Sequence, residues 1–515
     1  MSTSLEKANE FLKTSHLYRL GDLPTESRHP LTMNLSDDAQ NNLNQAIQSL
    51  VQVDQEALQK LSFKVDQILE LREAIRTTLK NKGRIFMCGC GATGRLSLTL
   101  EYLWRELFPA SDSVTAFMAG GDTALVHSLE GFEDYPDLGA RHLLELGFTS
   151  HDLLISSTEG GETPFVIGAT EKAAEISKYA PYYLYCNPDE ILCAKVERSK
   201  RVIENPKIKK INLTVGPMAL SGSTRMQAST VLQLAIGYAL LSTYTKDEIL
   251  ASLAQMTNLL VENAEVFLRG FIERESQTYK DGDFVLYSVK NLTMTIFTDT
   301  TERGPTFSLT AFSHPKAEAL LKKLPSPCYI MLADSKTPTD AWQKLLLRAP
   351  RALNWIDIDP RTSTEYMTAF DFSPSCILFR KKLVGEKHEH RIFEISKRQT
   401  KEAQEIVWSF MDHERVLELP LEMQSFEVHT LTKMLINMHS TLLMGRMGRY
   451  KNNVMTWVHP TNGKLVDRAT RYILGLLRDK GIERSYEETV KKMFNEMEHL
   501  KSNESIVLKT YAASL

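Results

Sequence analysis

Three short stretches of the chain combine glycine with small hydroxyl side chains, a pattern that suits a cluster of anionic oxygens. They are Gly89-Cys90-Gly91-Ala92-Thr93-Gly94, Ser156-Ser157-Thr158-Glu159-Gly160-Gly161-Glu162-Thr163 and Ser221-Gly222-Ser223-Thr224. Glycine lets backbone N–H groups approach a ligand closely, and a helix starting there adds the positive end of its dipole. The first stretch spells GxGxxG, which is open to a dinucleotide or to a smaller phosphate. Walker A is excluded, because no Lys-Ser/Thr follows the glycines. A dinucleotide site calls for an acidic residue about 20 positions on, at the end of the second strand. Here the second apolar run ends in Ala119-Gly120-Gly121, and Asp122 lies 28 residues beyond Gly94. Three hydroxyl loops fit a phosphate monoester better, with short donors around three oxygens. Taken singly, each set of Ser and Thr reads equally well as helix N-caps. Their recurrence with glycine in one half-chain favours the phosphate.

Other side chains extend this chemistry. Arg225, expected in the first turn of the helix after Ser221–Thr224, opposes the helix dipole there, which suits contact with an anionic ligand or an ion pair with some acid. Glu130 and Glu133, spaced i, i+3, would share one helix face, either solvated or set to bind sugar hydroxyls or abstract a proton. Lys464, just before a helix in Pro460-Thr461-Asn462-Gly463-Lys464-Leu465, is a loop lysine that either reaches a ligand or stays solvated. Cys88 and Cys90 flank the first glycine; with no second ligand pair nearby they read as small apolar filler rather than a metal or redox pair. His388 and His390 read as alternation on an exposed strand. No metal and no cofactor are expected.

The elements that would position these residues form an α/β alternation. Apolar runs at Arg84–Cys88, Val114–Met118, Leu153–Ser156 and Tyr182–Tyr185 read as strands. Helical stretches lie at Leu96–Leu107 and Phe165–Ser177 and in the segment from Gly216 to Leu241. Strands this apolar between helices imply a parallel sheet covered on both faces. A second, weaker round follows, with strands expected at Phe284–Val289, Thr295–Thr298, Tyr329–Leu332 and Trp355–Ile358. It has no counterpart of the glycine loop, as in a duplicated domain whose second copy has lost it. The expected organisation is an N-terminal arm over 1–45, a first domain over 46–262, a second over 263–426 and a mainly helical segment over 427–515.

The chain's 515 residues, 43% apolar and 24% charged, describe a protein of two domains or slightly more, and the net charge of −3 comes without a clustered basic face. Nucleic acid and membrane are therefore not expected as partners. The six cysteines without CxxC and the absence of a leader-like start point to the cytoplasm.

Longer stretches carry a resemblance. GCGATGRL, MAGGDTALVHSLEGFEDYPDLGA, ETPFVIGA, CNP, GPMALSGSTRMQAST and VHPTNGKLVDRA, with LPTESRHPLTMNL in the arm, resemble the SIS (sugar isomerase) domain proteins. Within them the chain is similar to the N-acetylmuramic acid 6-phosphate etherases and the glucokinase regulatory proteins. The likeness covers the first domain and the C-terminal helices, but in the second domain only TDTTERGPTFSL (Thr298–Leu309). It implies an α/β fold of two tandem SIS domains, each a flavodoxin-like three-layer unit with a parallel sheet, plus the arm and a C-terminal helical cap. It also implies that Gly91, Thr93, Gly94, Thr158, Gly160, Thr163, Ser223, Thr224, Arg225 and Lys464 contact a sugar phosphate, with Glu133 at the sugar and as base if the protein is an enzyme.

Two departures matter. Gly160 stands where the family has a serine. The etherases' second glutamate, the acid, aligns with Leu103, and Glu101 is about 200° away round that helix. Elimination of lactate needs both a base and an acid. A sugar-phosphate-binding regulator is therefore favoured over an etherase or isomerase. Fructose 6-phosphate and N-acetylmuramic acid 6-phosphate are both open as ligands, a sugar kinase is the partner implied, and the oligomeric state is left open.

Overall fold

Strand β1 (Ile85–Gly89) shows how the first half is layered. Its side chains alternate, so that Ile85 and Met87 enter one apolar cluster while Phe86 and Cys88 enter another on the opposite face of the sheet. The architecture comes from a computed structural model that describes residues 3–515 except 19, 110, 310, 311, 318, 320, 321, 323, 324 and 502. β1 pairs in parallel with β2 (Val114–Met118) and β3 (Leu153–Ser157), and β4 (Tyr182–Tyr185) and β5 (Lys209–Asn212) continue the sheet in the order β2-β1-β3-β4-β5. One face is covered by the helices Ala92–Leu107 and Gln227–Leu241, the other by Pro136–Glu145 and Pro164–Ile176. The protein is thus α/β with a three-layer first half, as expected. β5 escaped the sequence reading because it is a polar edge strand in which only Ile211 is buried.

The second half also carries a five-stranded sheet, but a mixed one, in the order β10-β9-β8-β6-β7. β6 (Phe284–Lys290) pairs in parallel with β7 (Cys328–Leu332) and β8 (His390–Gln399), whereas β9 (Gln404–Phe410) and β10 (His413–Leu419) are antiparallel hairpin strands. Two of the expected strands take other forms. Thr295–Thr298 lies inside the helix Thr293–Phe307, where Thr298 and Thr300 donate their hydroxyls to the carbonyls of Met294 and Ile296. That helix is buried over almost its whole surface, so it shows no amphipathic period. Trp355–Ile358 is a turn in a strap tied to the first half. Trp355 joins the outer apolar layer and donates Nε1–H to Glu145 (2.8 Å), and Arg348 pairs with Asp122 (2.6 Å) and Glu101 (3.1 Å). His390 opens β8 and stacks on Phe284, while His388 precedes the strand.

A single apolar cluster runs through both sheets, and the helices Gln227–Leu241 and Ser425–Arg446 are buried within it on nearly all sides. The boundary expected at 262/263 falls inside one 35-residue helix, Lys246–Lys280, which opens with a Thr245/Glu248 capping box. The arm begins with the helix Ser4–Thr14, whose Phe11 packs against Phe494 of the C-terminal segment of the same chain. No helix among the described residues is long and apolar enough to cross a membrane.

Candidate functional site

The three glycine loops follow the carboxyl ends of β1, β3 and β5, where open α/β sheets bind ligands. They open onto a cavity of about 580 Å³ that the arm, the helix Thr293–Phe307 and the C-terminal segment also line. In the first loop Gly91 has φ +53° and precedes the helix Ala92–Leu107, whose N-terminus faces the cavity at Gly91 and Ala92. Gly89 and Gly94 serve the packing. A Cβ on Gly89 would lie 2.3 Å from the Thr93 carbonyl carbon, and one on Gly94 2.4 Å from Met118 Cβ.

The sequence-predicted residues divide into two groups. Gly91, Gly160, Thr163, Ser223, Thr224, Arg225, Lys464 and Glu133 all stand in the cavity wall. Thr93, Gly94 and Thr158 do not. The Thr93 hydroxyl turns back into its own loop, accepting from Cys90 N–H (2.9 Å) and donating to Cys90 C=O (2.9 Å). Thr158 Oγ1 is spent on Thr163 Oγ1 (2.9 Å), and Gly94 packs on β2. Ser223 Oγ, by contrast, is buried in the wall and makes no hydrogen bond among the described residues. Its loop is pinned from outside, since Ser221 donates to Glu26 C=O (2.6 Å) and accepts at its carbonyl from Tyr472 (2.7 Å).

Arg225 lies in the turn before the helix Gln227–Leu241 rather than in that helix's first turn, and it is buried. Its guanidinium donates to Asp299 (2.6 Å) and Thr441 (3.2 Å), and its Nε has no hydrogen-bond partner among the described residues. The arginine reaches the cavity while joining the first half to the helix Thr293–Phe307. Glu133 follows a 3-10 turn at Glu130–Phe132 rather than sitting on a helix face, and the Glu130 side chain lies outside the described residues.

Lys464 sits in the first turn of the helix Gly463–Arg478, where the dipole disfavours a cation, and two carboxylates hold it there: Glu133 at 2.7 Å and Glu162 at 3.0 Å. Burial lowers the ammonium pKa, but these two charges outweigh it and raise it overall. Burial likewise raises Glu162, yet Lys464 and Arg198 hold its carboxyl down at about 2. Glu159 goes the other way. Burial pushes it up to about 7, against the Ser229 hydroxyl that donates to it (2.8 Å), and the charge of Glu302 adds to the rise.

Sequence reasoning passed over Glu26, Arg95, Glu159, Glu162, Glu302 and Arg468, all in the wall. Arg95 pairs with Glu302, and Arg468 grips Glu26 through two bonds of 2.7 and 2.9 Å. The signals were available. Thr298–Leu309 is the one second-half segment carrying the family likeness, and it is the segment that enters the cavity. Leu103, at the expected acid position, is buried in the core, and Glu101 is locked by Arg105, Arg348 and Arg351.

The comparisons with known proteins bear on the same loops. The family model of the glucokinase regulatory protein N-terminal SIS domain matches residues 67–174. N-acetylmuramic acid 6-phosphate etherase of Francisella philomiragia is 32% identical over 217 residues, 42% of this chain and 68% of that protein. N-acetylmuramic acid 6-phosphate etherase 2 of Vibrio cholerae is 31% identical over 218 residues, 42% of this chain. The chain spans 66% of the Vibrio cholerae protein and 54% of a Prochlorococcus marinus etherase. Among solved structures, the C-terminal domain of glucosamine-fructose-6-phosphate aminotransferase from Francisella tularensis aligns at 12% identity with a TM-score of 0.37, covering 78% of this chain and 95% of that one. Motifs, loops and matched relatives agree, and the chain belongs to the SIS-domain family that takes in the N-acetylmuramic acid 6-phosphate etherases and the glucokinase regulatory proteins.

Proposed function

We propose that this protein binds a hexose 6-phosphate in the cavity and works as a sensor that regulates a partner, in the manner of a glucokinase regulatory protein. A sugar kinase is the partner that the family likeness points to. The observation that carries the binding reading is Ser223 Oγ, a buried hydroxyl without a hydrogen-bond partner among the described residues, in the wall that also holds Gly91, Thr224 and Lys464. A buried donor of that kind is costly unless a ligand oxygen accepts from it. The helix N-terminus at Gly91 supports an anion on the same wall. Leu103 in the core supports a binding role over lactate elimination, because it removes the acid that would assist the leaving oxygen. We read the second sheet as a second SIS domain that lost its glycine loop and now covers the site of the first. The six cysteines, none of them bridged, support a cytoplasmic setting.

A second reading, the etherase, is favoured by the matched relatives and by one feature of the cavity: Glu159, pushed up to about 7 by burial, is a carboxyl in the same wall as Glu133 that can hold a proton. The deciding experiment incubates the protein with N-acetylmuramic acid 6-phosphate and follows D-lactate, with Glu133→Gln as control. In parallel, the melting temperature is measured with that sugar and with fructose 6-phosphate. The sensor reading expects a rise in melting temperature without lactate. Lactate from the wild type and none from Glu133→Gln would establish the enzyme instead.

A further inference from the structure

Five glutamates line the cavity: Glu26, Glu133, Glu159, Glu162 and Glu302. Four are matched by cations, through Arg468–Glu26, Lys464–Glu133, Lys464–Glu162 and Arg95–Glu302. Glu159 is in no ion pair among the described residues, and its carboxylate accepts from the Ser229 hydroxyl (2.8 Å). The charges acting on it come from Glu302 on the facing helix and from Lys464 on the C-terminal segment. Its own charge is felt by Lys433 and Cys186. Glu302 also stands at the phosphate end, with Oε1 3.8 Å from where a Cβ on Gly91 would lie. A purely anionic ligand would thus meet two carboxyl groups and no cation free of a carboxylate. A partly buried carboxyl without a counter-ion is stabilised by a ligand cation placed beside it.

We infer that the cavity selects a zwitterion: a sugar phosphate with a free amino group, its phosphate on Gly91 and Ser223-Thr224 and its ammonium against Glu159. The inference rests on the sugar-phosphate reading and narrows its ligand class. The proton balance follows from the chemistry. Burial holds part of Glu159 in the acid form near neutral pH, so pairing with an ammonium ionises it and releases that proton to solvent. An N-acetyl group or a hydroxyl in the same place offers no cation and drives no such release.

The test is titration calorimetry of the whole chain at about pH 6.5, where the probe's amino group is already an ammonium and takes up no proton of its own on binding, in two buffers of different ionisation enthalpy. The probes are glucosamine 6-phosphate, glucose 6-phosphate and N-acetylglucosamine 6-phosphate. Glucosamine 6-phosphate is expected to bind on the order of tenfold more tightly than the other two, and to release more protons than glucose 6-phosphate does. In Glu159→Gln the preference and the extra proton release should both disappear. Should that variant fold poorly, the buffer dependence of the wild type alone decides. Equal affinities in the wild type, a preference that survives in Glu159→Gln, or no extra proton release would each overturn the inference. Failure of all three probes to bind would overturn the sugar-phosphate reading itself.

Discussion

The loops after β1 and after β6 start from similar positions, at the carboxyl ends of strands that pair in parallel with both neighbours, and end with opposite electrostatics. After β1 the chain turns through Gly91 at φ +53° into a helix whose N-terminus meets the cavity. After β6 it turns through Asn291 at φ +65°, an exposed residue whose amide donates to Lys397 C=O, and the helix that follows meets the cavity along its C-terminal half with Thr301, Glu302 and Thr306. The first helix turns its N-terminus to the cavity; the second presents Glu302, a carboxylate that occupies Arg95. On the proposed reading, a strand-loop-helix unit can serve an anion where glycine lets the helix terminus itself face the ligand.

The sharpest way to break this contrast is to change the positive-φ residue of each turn. Gly91→Val should abolish sugar-phosphate binding, at least about a hundredfold in Kd, because valine is strained at positive φ and its side chain enters the cavity. Asn291→Gly, which relieves rather than imposes strain, should leave binding within about twofold of wild type. Calorimetry on both variants makes the comparison.

Lys464→Met comes next, since it removes the one cation shared by Glu133 and Glu162. It should cost about 3 kcal/mol of stability in thermal melts and at least about tenfold in affinity. The pH dependence carries a sign. The folded carboxyl of Glu162 is held at about 2, below its unfolded value near 4.5, so its stabilisation is present above about pH 4.5 and lost as pH falls toward 2. In Lys464→Met the acid-side loss of melting temperature should be visibly shallower.

Ser223→Ala is predicted to act on the ligand alone. Affinity should drop about tenfold while the melting temperature of the free protein stays level or rises, because no protein group loses a partner. A fall in stability without loss of affinity would remove the observation on which the binding reading stands. Gly160→Ser sharpens the comparison in the other direction. A Cβ there meets Glu162 Cγ at 3.4 Å, an ordinary contact, so the added hydroxyl should tighten phosphate binding a few-fold. The smallest effect is expected at Lys336, exposed in the loop after β7, where alanine should change binding by less than about twofold.

How much of this was legible before folding depends on the segment. β1 to β4 were readable because strands buried on both faces are continuous apolar runs that end in turn residues, glycine after β1, β2 and β3 and Asn187-Pro188 after β4. Of β8 only the start was read, as alternation around His390, and β10 was missed because it is largely exposed and charged; missed too was the helix around Thr295–Thr298, where threonine-rich sequence suggests a strand until burial on every side decides otherwise. Within the site, the loop glycines and Ser223 could be picked out from type and spacing.

The sequence by itself determined which backbone turns were possible and which chemistry they could offer. Glycine at 91 and 222 permits positive φ wherever the chain goes, and hydroxyls beside it remain short donors. Only the tertiary structure decided how those groups are spent. It turned Thr93 and Thr158 inward, gave Arg225 to Asp299, and brought Glu26, Glu302 and Lys464 from distant parts of the chain to one cavity while leaving Glu159 without an ion pair among the described residues. The reason is physical. Backbone conformation is governed by the residue and its immediate neighbours, whereas the partner of a charge is whatever the packed core carries within a few ångströms of it.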